Sequence, residues 1–371
     1  MTLFDRHIAR QYLINVVVLL AILCSFVVTI DMSVNFNRMV GRADQLLREH
    51  GASDPSLLRR GAATFLLVAD LWWPRLLQLF NFTLGLVMVG AMGFTFSQMV
   101  RGRELVAMLA GGVSLHRAAV PVVACSLGLT LVQAVNQEMI VPRVAGLLTR
   151  DHGDAGKRDL GTTDLALMAD GAGRLFHARV FNADDGTIHD LLVIERDREG
   201  KAIRRISAVF ARWRDGGWDL DISPGSEGVV GTGGVVDRIV TDLDPVTITM
   251  RRFAGFSQSL SFTQITGLLR QMPESDTSGR DRLERFRWGR FAVMAANIMA
   301  LVACMHFFLR REPTNMLMQA VKGAPVAVVT LMGGVLGATA EIPGIPPQLG
   351  VMIPVLIITP FAIASASMIK T

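Results

Sequence analysis

Six long apolar runs, separated by polar segments, organise the chain. Each run is long enough for a helix to cross the roughly 30 Å hydrocarbon core of a bilayer at about 1.5 Å per residue. The pattern therefore predicts six transmembrane helices, three on each side of a long central insert. The predicted spans are residues 12–30, 76–96, 118–135, 291–309, 324–340 and 351–368.

The first run has two interpretations. It follows the basic residues Arg6 and Arg10, as the apolar region of a cleaved signal peptide does. No small-x-small cleavage site follows before the polar stretch VNFNRMVGR, so we interpret the run as a first span that begins on the cytoplasmic side. Residues 31–61 are then predicted to be a polar connection to the second span.

The insert between residues 139 and 285 has a different pattern, in which apolar residues recur at every second position. A period of two predicts strands with one buried face, and the turn signals between them leave no room for crossover helices. We expect a small antiparallel sandwich or open barrel, followed by a helix over residues 261–271. The alternating apolar residues are Phe176, Ala178 and Val180; Val209, Ala211 and Trp213; Trp218, Leu220 and Ile222; and Val246, Ile248 and Met250.

Composition supports a membrane protein. Of the 371 residues, 51% are hydrophobic and 19% are charged, a balance that favours a polytopic over a soluble protein. The 3 cysteines lie in apolar runs, which argues against a disulfide or zinc framework. The net charge of +5 comes with no nucleic-acid recognition module, so we attribute it to membrane topology and predict no nucleic-acid partner.

Lysine and arginine positions predict the orientation, because short cytoplasmic loops are enriched in them. Six spans place both termini in the cytoplasm and the insert outside, and the outer loop 341–350 carries neither residue. The segment 31–61 disagrees, since it is predicted to lie outside although it contains several arginines. The segments predicted to be cytoplasmic carry Arg6, Arg10, Arg101, Arg103, Arg117, Arg310, Arg311, Lys322 and Lys370.

The sequence predicts no catalytic residue, no metal site and no cofactor. It contains no phosphate-binding loop and no HExxH or GxSxG motif. The histidines have no ligand spacing, and the spans lack the relay of ionisable residues that a proton-coupled transporter needs. We therefore expect the chain to depend on another protein for energy.

A polar and amphipathic island, SQMVRGRELVAMLAGGVSLHR, lies between the second and third apolar runs. Leu105, Met108 and Leu109 form a narrow apolar stripe on a predicted short helix, which Gly111 and Gly112 end. Spacing alone leaves two interpretations open. The island is either a solvated loop on the membrane surface or a helix presented to another protein.

The order of these segments resembles the lipopolysaccharide export permease family, LptF/LptG, the paired inner-membrane subunits of the Lpt transporter. The resemblance implies a polytopic α-helical protein of the bacterial inner membrane, with six transmembrane helices and an inserted all-β periplasmic jellyroll-like domain. It gives a first transmembrane half over residues 1–138, the β domain with its linkers over 139–285 and a second half over 286–371. The segments that carry it are LFDRHIARQYL, RGRELVAMLAGGVSLHR, NQEMIVPR, SAVFARW, GGWDL and GIPPQLGVMIP, the first of which is more similar to the G-type than to the F-type permease.

The resemblance also implies a function. Such a subunit extracts lipopolysaccharide from the outer leaflet of the inner membrane and passes it to a periplasmic β-jellyroll bridge. The implied partners are a second homologous permease, a cytoplasmic ATPase dimer that binds the ATP and magnesium, and a single-span periplasmic jellyroll protein. Residues 98–112 become a coupling helix that docks on the ATPase, with Glu104 at the family's acidic position.

The resemblance suggests a site for each step, and each has a plainer alternative. Arg101 and Arg103 either join the docking surface or meet lipid phosphates, and Arg38 and Arg42 either pair with lipid A phosphates or form a solvated face. Gly333, Gly334 and Gly337 either form part of a lateral gate or serve static helix packing. The inward residues of the β domain, which include Phe176, Val180, Val209 and Trp213, line either an acyl-chain groove or a closed core.

Two rival functions remain open. A mechanotransmission-type permease moves no substrate through its spans, and six spans count against it. A receptor that senses a periplasmic ligand and signals through the island would work without an ATPase partner.

Overall fold

The computed structural model describes the apolar helices and most strands of the insert. The described residues are 3–49, 56–148, 150, 152, 155, 163–182, 185–197, 201–221, 229–230, 237–245, 247–248, 260–271, 277–309, 316–342 and 344–368. Their helices are α1 (Leu3–Glu49), α2 (Leu57–Arg101), α3 (Glu104–Ala110), α4 (Leu115–Val135), α5 (Val141–Leu148), α6 (Phe262–Gln271), α7 (Thr277–Phe308), α8 (Met316–Thr339) and α9 (Pro347–Ser367).

The chain divides into two compact units. The helical unit comprises Met1–Ala155, Ser261–Arg270 and Asp276–Thr371, and the β unit comprises Gly156–Leu260 and Gln271–Ser275. Residues 139–155, 261–270 and 276–285, which the sequence places with the β domain and its linkers, therefore belong to the helical unit.

Six of the described helices are long and apolar enough to cross a membrane, as the sequence predicts. They are α1, α2, α4 with its continuation, α7, α8 and α9. A π-helical turn over Asn136–Ile140 joins α4 directly to α5. The predicted helix over residues 261–271 is also present, as α6.

The first two helices extend well beyond the bilayer. α1 has 47 residues, so at about 1.5 Å per residue it is about 70 Å long. The prediction of a polar connection over residues 31–61 is wrong for residues 31–49, which are helical, and α2 begins before Pro74 rather than after it. The reason is packing outside the apolar run, where a buried cluster joins the two helices through Met39, Ala43, Leu67 and Leu71.

Buried amide side chains join the central helices. Asn136 Nδ2 donates to Asn81 Oδ1 over 2.9 Å, and Gln133 Nε2 donates to the Asn81 carbonyl oxygen over 2.9 Å. Asn297 Nδ2 donates to Gln133 Oε1 over 3.3 Å, which adds α7 to the group. Gly85 on α2 has no Cβ and so permits the close approach of Asn297. Small residues and hydrogen-bonded amides are common in helix contacts inside membranes, where apolar burial gives no driving force.

The described strands of the β unit form one antiparallel sheet in the order β1-β2-β3-β4-β5-β7, with β6 beside β4. Strands adjacent along the chain pair from β1 to β5, and β7 then pairs with β5. Its core includes Trp218, which is fully buried and donates from Nε1 to the Leu243 carbonyl oxygen over 2.9 Å. The strands are β1 (Thr163–Ala169), β2 (Leu175–Asn182), β3 (Thr187–Arg196), β4 (Ala202–Arg214), β5 (Gly217–Asp221), β6 (Val229–Val230) and β7 (Arg238–Val240).

One predicted strand is wrong in its described part. Pro245, Thr247 and Ile248 form a helical turn, while Val246 and Met250 lie outside the described residues. Asp244 starts the turn, since its Oδ1 accepts from Thr247 N over 2.8 Å and its carbonyl oxygen accepts from Ile248 N over 2.9 Å. Aspartate followed by proline is a typical helix start, and this local signal overrides the alternation of apolar residues.

Candidate functional site

The island folds as a short helix, α3, bounded by two special backbone positions. Arg103 precedes it in the left-handed conformation, with φ 56°, and Gly112 follows it with φ 76°. Val113 N donates to the Met108 carbonyl oxygen over 3.0 Å, which closes the C-terminal end. Glycine adopts positive φ without strain, so Gly112 allows the chain to turn at once into α4.

The apolar stripe of α3 faces the chain's own core. Leu105 and Met108 are buried in the cluster that contains Ile8 of α1 and Leu115 of α4, and Leu109 packs against that cluster. The three apolar residues that the resemblance assigns to the coupling helix are therefore covered by the chain's own helices. An isolated helix of this length is not stable in water, so burial of the stripe holds α3 against the rest of the helical unit.

The opposite face of α3 is free of such contacts. Val106, Ala107 and Ala110 are exposed, and Ala110 lies four and three residues after the other two, so they share one helix face. Arg103, which directly precedes the helix, is exposed as well. Val106 is 53% exposed, and the short side chains of Ala107 and Ala110 leave the surface around it shallow. This outward face, which we define by these four residues, is a shallow apolar surface with Arg103 at its edge. Arg101 is exposed beside it.

Glu104 does not project freely from the island. Its Oε2 lies 3.6 Å from His7 Nε2 at the start of α1, and its side chain is 39% exposed. An exposed pair at this distance contributes little to stability. The contact places the carboxylate between α1 and α3 and thus at the margin of the outward face.

The inner half of α1 is firmly packed near this site. Tyr12 is fully buried, its hydroxyl lies 2.8 Å from Ser126 Oγ on α4, and it donates to the Met88 carbonyl oxygen of α2 over 3.3 Å. Asn15 adds a 2.9 Å hydrogen bond from Nδ2 to Thr95 Oγ1. Because α1, α2 and α4 are packed together, we expect a displacement of α3 to be transmitted to all three helices.

The two arginines predicted to bind lipid phosphate are not equivalent. Arg38 is exposed on α1, whereas Arg42 is only 9% exposed. Arg42 Nε donates to the Ala155 carbonyl oxygen over 3.4 Å, and its Nη1 lies 4.0 Å from Glu49 Oε1. Arg42 is thus held by contacts within the helical unit, and of the two arginines Arg38 is the exposed one.

The predicted gate glycines lie at contacts within the chain. A Cβ at Gly334 would come within 2.5 Å of Ala296 Cβ on α7, and one at Gly337 within 2.5 Å of Pro354 Cγ on α9. Gly333 is less crowded, since a Cβ there would lie 3.5 Å from Ile358 Cδ1. This geometry favours the packing role for Gly334 and Gly337, because both permit close approach of neighbouring helices.

We expect Gly337→Ala to lower the free energy of unfolding by about 1–3 kcal/mol, the usual cost of overpacking. The added methyl group collides with the Pro354 ring, which cannot move without shifting α9. Thermal unfolding of the purified protein in detergent measures the effect. Gly128→Ala on α4 is the matched control, because a Cβ there meets nothing within 4 Å. Equal loss in the two variants would contradict the packing role.

Of the four β-unit residues that the sequence predicts to point inward, the structure buries some and exposes another. Phe176 is 0% exposed in the core of the sheet, Trp213 stacks edge-on against Trp218 at 5.2 Å, and Val180 is half-buried. Val209 is exposed, so its predicted inward position is wrong. The alternation breaks there, since the buried residues Ala208 and Ala211 are three apart and Asp190, beside them on β3, has φ 54°.

A buried ion pair that sequence analysis did not single out joins three helical segments. Arg290 Nη1 of α7 pairs with Glu138 Oε1 in the π-helical turn, and Glu138 Oε2 accepts from Phe262 N at the start of α6 over 2.7 Å. Arg290 is 6% exposed. The signal available in the sequence was Glu138 itself, because an ionisable residue at the end of a span usually pairs with another charged or polar side chain.

Together, six helices long and apolar enough to cross a membrane, an inserted β unit and a short helix between two of the spans define a polytopic membrane protein. The family model of the lipopolysaccharide export system permease LptF/LptG matches residues 56–367. The chain belongs to this family, and its role is that of a lipopolysaccharide export permease of the inner membrane. A search of curated protein sequences finds no match.

Proposed function

We propose that this chain is the permease subunit of an ABC transporter that extracts lipopolysaccharide from the outer leaflet of the inner membrane and passes it to a periplasmic β-jellyroll bridge. Its partners in this proposal are a second homologous permease, a cytoplasmic ATPase dimer and a single-span periplasmic jellyroll protein. Family membership over residues 56–367 supports the substrate and the membrane. ATP and magnesium belong to the ATPase subunits.

The observation that carries the energy-coupling part is the outward face of α3. Leu105 and Met108 hold the helix on the packed group of α1, α2 and α4, and Val106 and Ala107 remain exposed for a partner. A shallow apolar helix face with a charged edge suits a groove on another protein. The ATPase dimer is the partner we assign to it, with Glu104 and Arg103 at the margin of the contact.

The outer surface of α1 supports a partner in the membrane. Its apolar side chains between residues 13 and 36 are largely exposed, among them Val17, Ile22, Phe26 and Val34. Such a surface faces lipid tails or another helix, and a second permease facing this side completes an enclosed path for the glycolipid. Movement then requires that open and closed states bind lipopolysaccharide with different affinity.

The exposed Arg38 supports contact with the substrate's phosphates. It follows the apolar run on α1, where the helix leaves the bilayer, and a guanidinium binds phosphate through charge-assisted hydrogen bonds. Arg42 has a structural role in this proposal, since it holds Ala155. Lipid A carries the phosphates that this position fits.

Purification of the chain from membranes in mild detergent, followed by mass spectrometry of bound protein and lipid, tests the proposal. We expect a cytoplasmic ATPase, a second six-span permease and a phosphorylated glycolipid to co-purify. Recovery of the chain alone, or with a signalling partner and without an ATPase, would instead support the receptor function. An ATPase without glycolipid would support a mechanotransmission-type permease.

A further inference from the structure

The described residues of segment 150–155, which we call the strap, are held to α1 and α2 by several contacts. The strap is the last part of the helical unit before the chain enters the β unit at residue 156. Arg150 is buried, and its Nη1 lies 2.9 Å from Asp70 Oδ2 on α2. Arg75 Nη2, also on α2, donates to the Arg150 carbonyl oxygen over 2.8 Å.

His152 joins the strap to α1. Its Nε2 lies 2.9 Å from Asp31 Oδ2, and because a carboxylate only accepts, the Nε2 proton is donated. Trp72 Nε1 of α2 donates to the same oxygen over 3.1 Å, and Asn35 Nδ2 donates to Asp31 Oδ1 over 3.0 Å. The Asp31 carboxylate therefore accepts hydrogen bonds from side chains of α1, α2 and the strap.

Ala155 closes the strap. Its carbonyl oxygen accepts from Arg42 Nε over 3.4 Å, and its side chain is fully buried in the cluster of Met39, Ala43, Leu67 and Leu71. Each described residue of the strap thus contacts a charged or buried group of the two long helices. Charge-assisted hydrogen bonds are stronger than neutral ones, so these contacts hold the described strap residues firmly to α1 and α2.

We propose that Asp31, Asp70, Arg150 and His152 are positioning residues that make the outer halves of α1 and α2 move as one body with the strap during the transport cycle. The inner ends of α1 and α2 pack with α3, where the ATPase is assigned to dock. A displacement at α3 then reaches the strap through two joined helices. This inference rests on the proposed function, and it adds residues that contact neither substrate nor ATPase.

The test uses the full transporter, with its ATPase and second permease, reconstituted in liposomes that contain lipopolysaccharide. ATP hydrolysis and photo-cross-linking of lipopolysaccharide to a purified periplasmic jellyroll acceptor are measured in the same sample. We expect His152→Ala to lower the lipopolysaccharide transferred per ATP by roughly tenfold while ATP hydrolysis continues. His152→Gln, which retains an N–H donor for Asp31, should restore most of the transfer.

A charge exchange gives a second measurement. Asp70→Arg and Arg150→Asp should each uncouple transfer from hydrolysis, and the double variant should recover coupling because the pair is rebuilt in reverse. Arg143→Ala, which removes an exposed arginine from α5, is the control and should behave as the unmodified chain.

Three results with the variants would overturn the inference. Hydrolysis and transfer that fall in parallel would show a merely structural role, as would a His152→Gln variant no better than His152→Ala. Normal coupling of transfer to hydrolysis in both His152→Ala and Arg150→Asp would show that the strap contacts have no role in coupling. If the unmodified transporter itself transfers no lipopolysaccharide, the proposed function fails and this inference with it, an outcome distinct from strap variants that transfer normally.

Discussion

Val106→Glu on α3 will abolish co-purification of the cytoplasmic ATPase and leave the thermal stability of the chain unchanged. Val106 is 53% exposed in the centre of the outward face, so the substitution disturbs no packing within the chain. In the complex the carboxylate would be buried against an apolar groove without a partner, which costs at least the roughly 2 kcal/mol of burying an unpaired neutral polar group. We expect affinity for the ATPase to fall at least about 30-fold, measured by quantitative pull-down from detergent.

Two control variants separate docking from folding. Met318→Glu introduces the same charge at another exposed apolar position, on α8, and should leave ATPase binding intact. Leu105→Ala removes a buried side chain of α3 and should lower stability by about 2–5 kcal/mol. Full ATPase recovery with Val106→Glu would show that the outward face is not the docking surface.

Glu138→Ala will destabilise the helical unit by about 3–5 kcal/mol, because it removes the carboxylate partner of a buried guanidinium. Arg290 is 6% exposed, and Phe262 N loses its acceptor in the same substitution. The start of α6 is then released from α7 and from the π-helical turn. Thermal or denaturant unfolding in detergent gives the magnitude, and protease sensitivity near residue 262 reports the release of α6.

Glu341→Ala provides the matched comparison. Arg285, the partner of Glu341, is nearly as buried as Arg290, at 10% exposed, but the Glu341 carboxylate is 70% exposed against 32% for Glu138. Water can therefore replace the Glu341 carboxylate at the guanidinium, and its loss should cost less stability than the loss of Glu138. Replacing Glu138 and Arg290 together by leucine should recover much of the stability lost in Glu138→Ala. If the Glu138 and Glu341 variants unfold at the same temperature, burial does not set the strength of these pairs.

The membrane spans were predictable because length and apolar content alone decide whether a helix can cross a bilayer. The ends of α1 and α2 were not predictable, since hydropathy does not detect a polar helix that is stabilised by a few contacts distant in sequence. Met39 and Ala43 find Leu67 and Leu71 only in the folded chain. The helical turn at residues 245–248 failed for a different reason, because the capping by Asp244 outweighed a short alternation.

The island shows what periodicity can and cannot say. The spacing of Leu105, Met108 and Leu109 predicts a helix with an apolar face, and α3 confirms the helix. Periodicity does not say whether that face is covered by the same chain or by another protein. The buried polar pairs were still harder to predict, because Glu138 and Arg290, or Asp31 and His152, lie more than a hundred residues apart in sequence.

ATP-driven transfer of lipopolysaccharide by the reconstituted transporter tests the central claim most directly. Liposomes that contain this chain, its second permease and the ATPase should deliver lipopolysaccharide to a soluble periplasmic jellyroll acceptor only when ATP is present, and Val106→Glu should lose this transfer. Transfer without ATP, or equal transfer by liposomes that lack this chain, would contradict its role as the permease subunit.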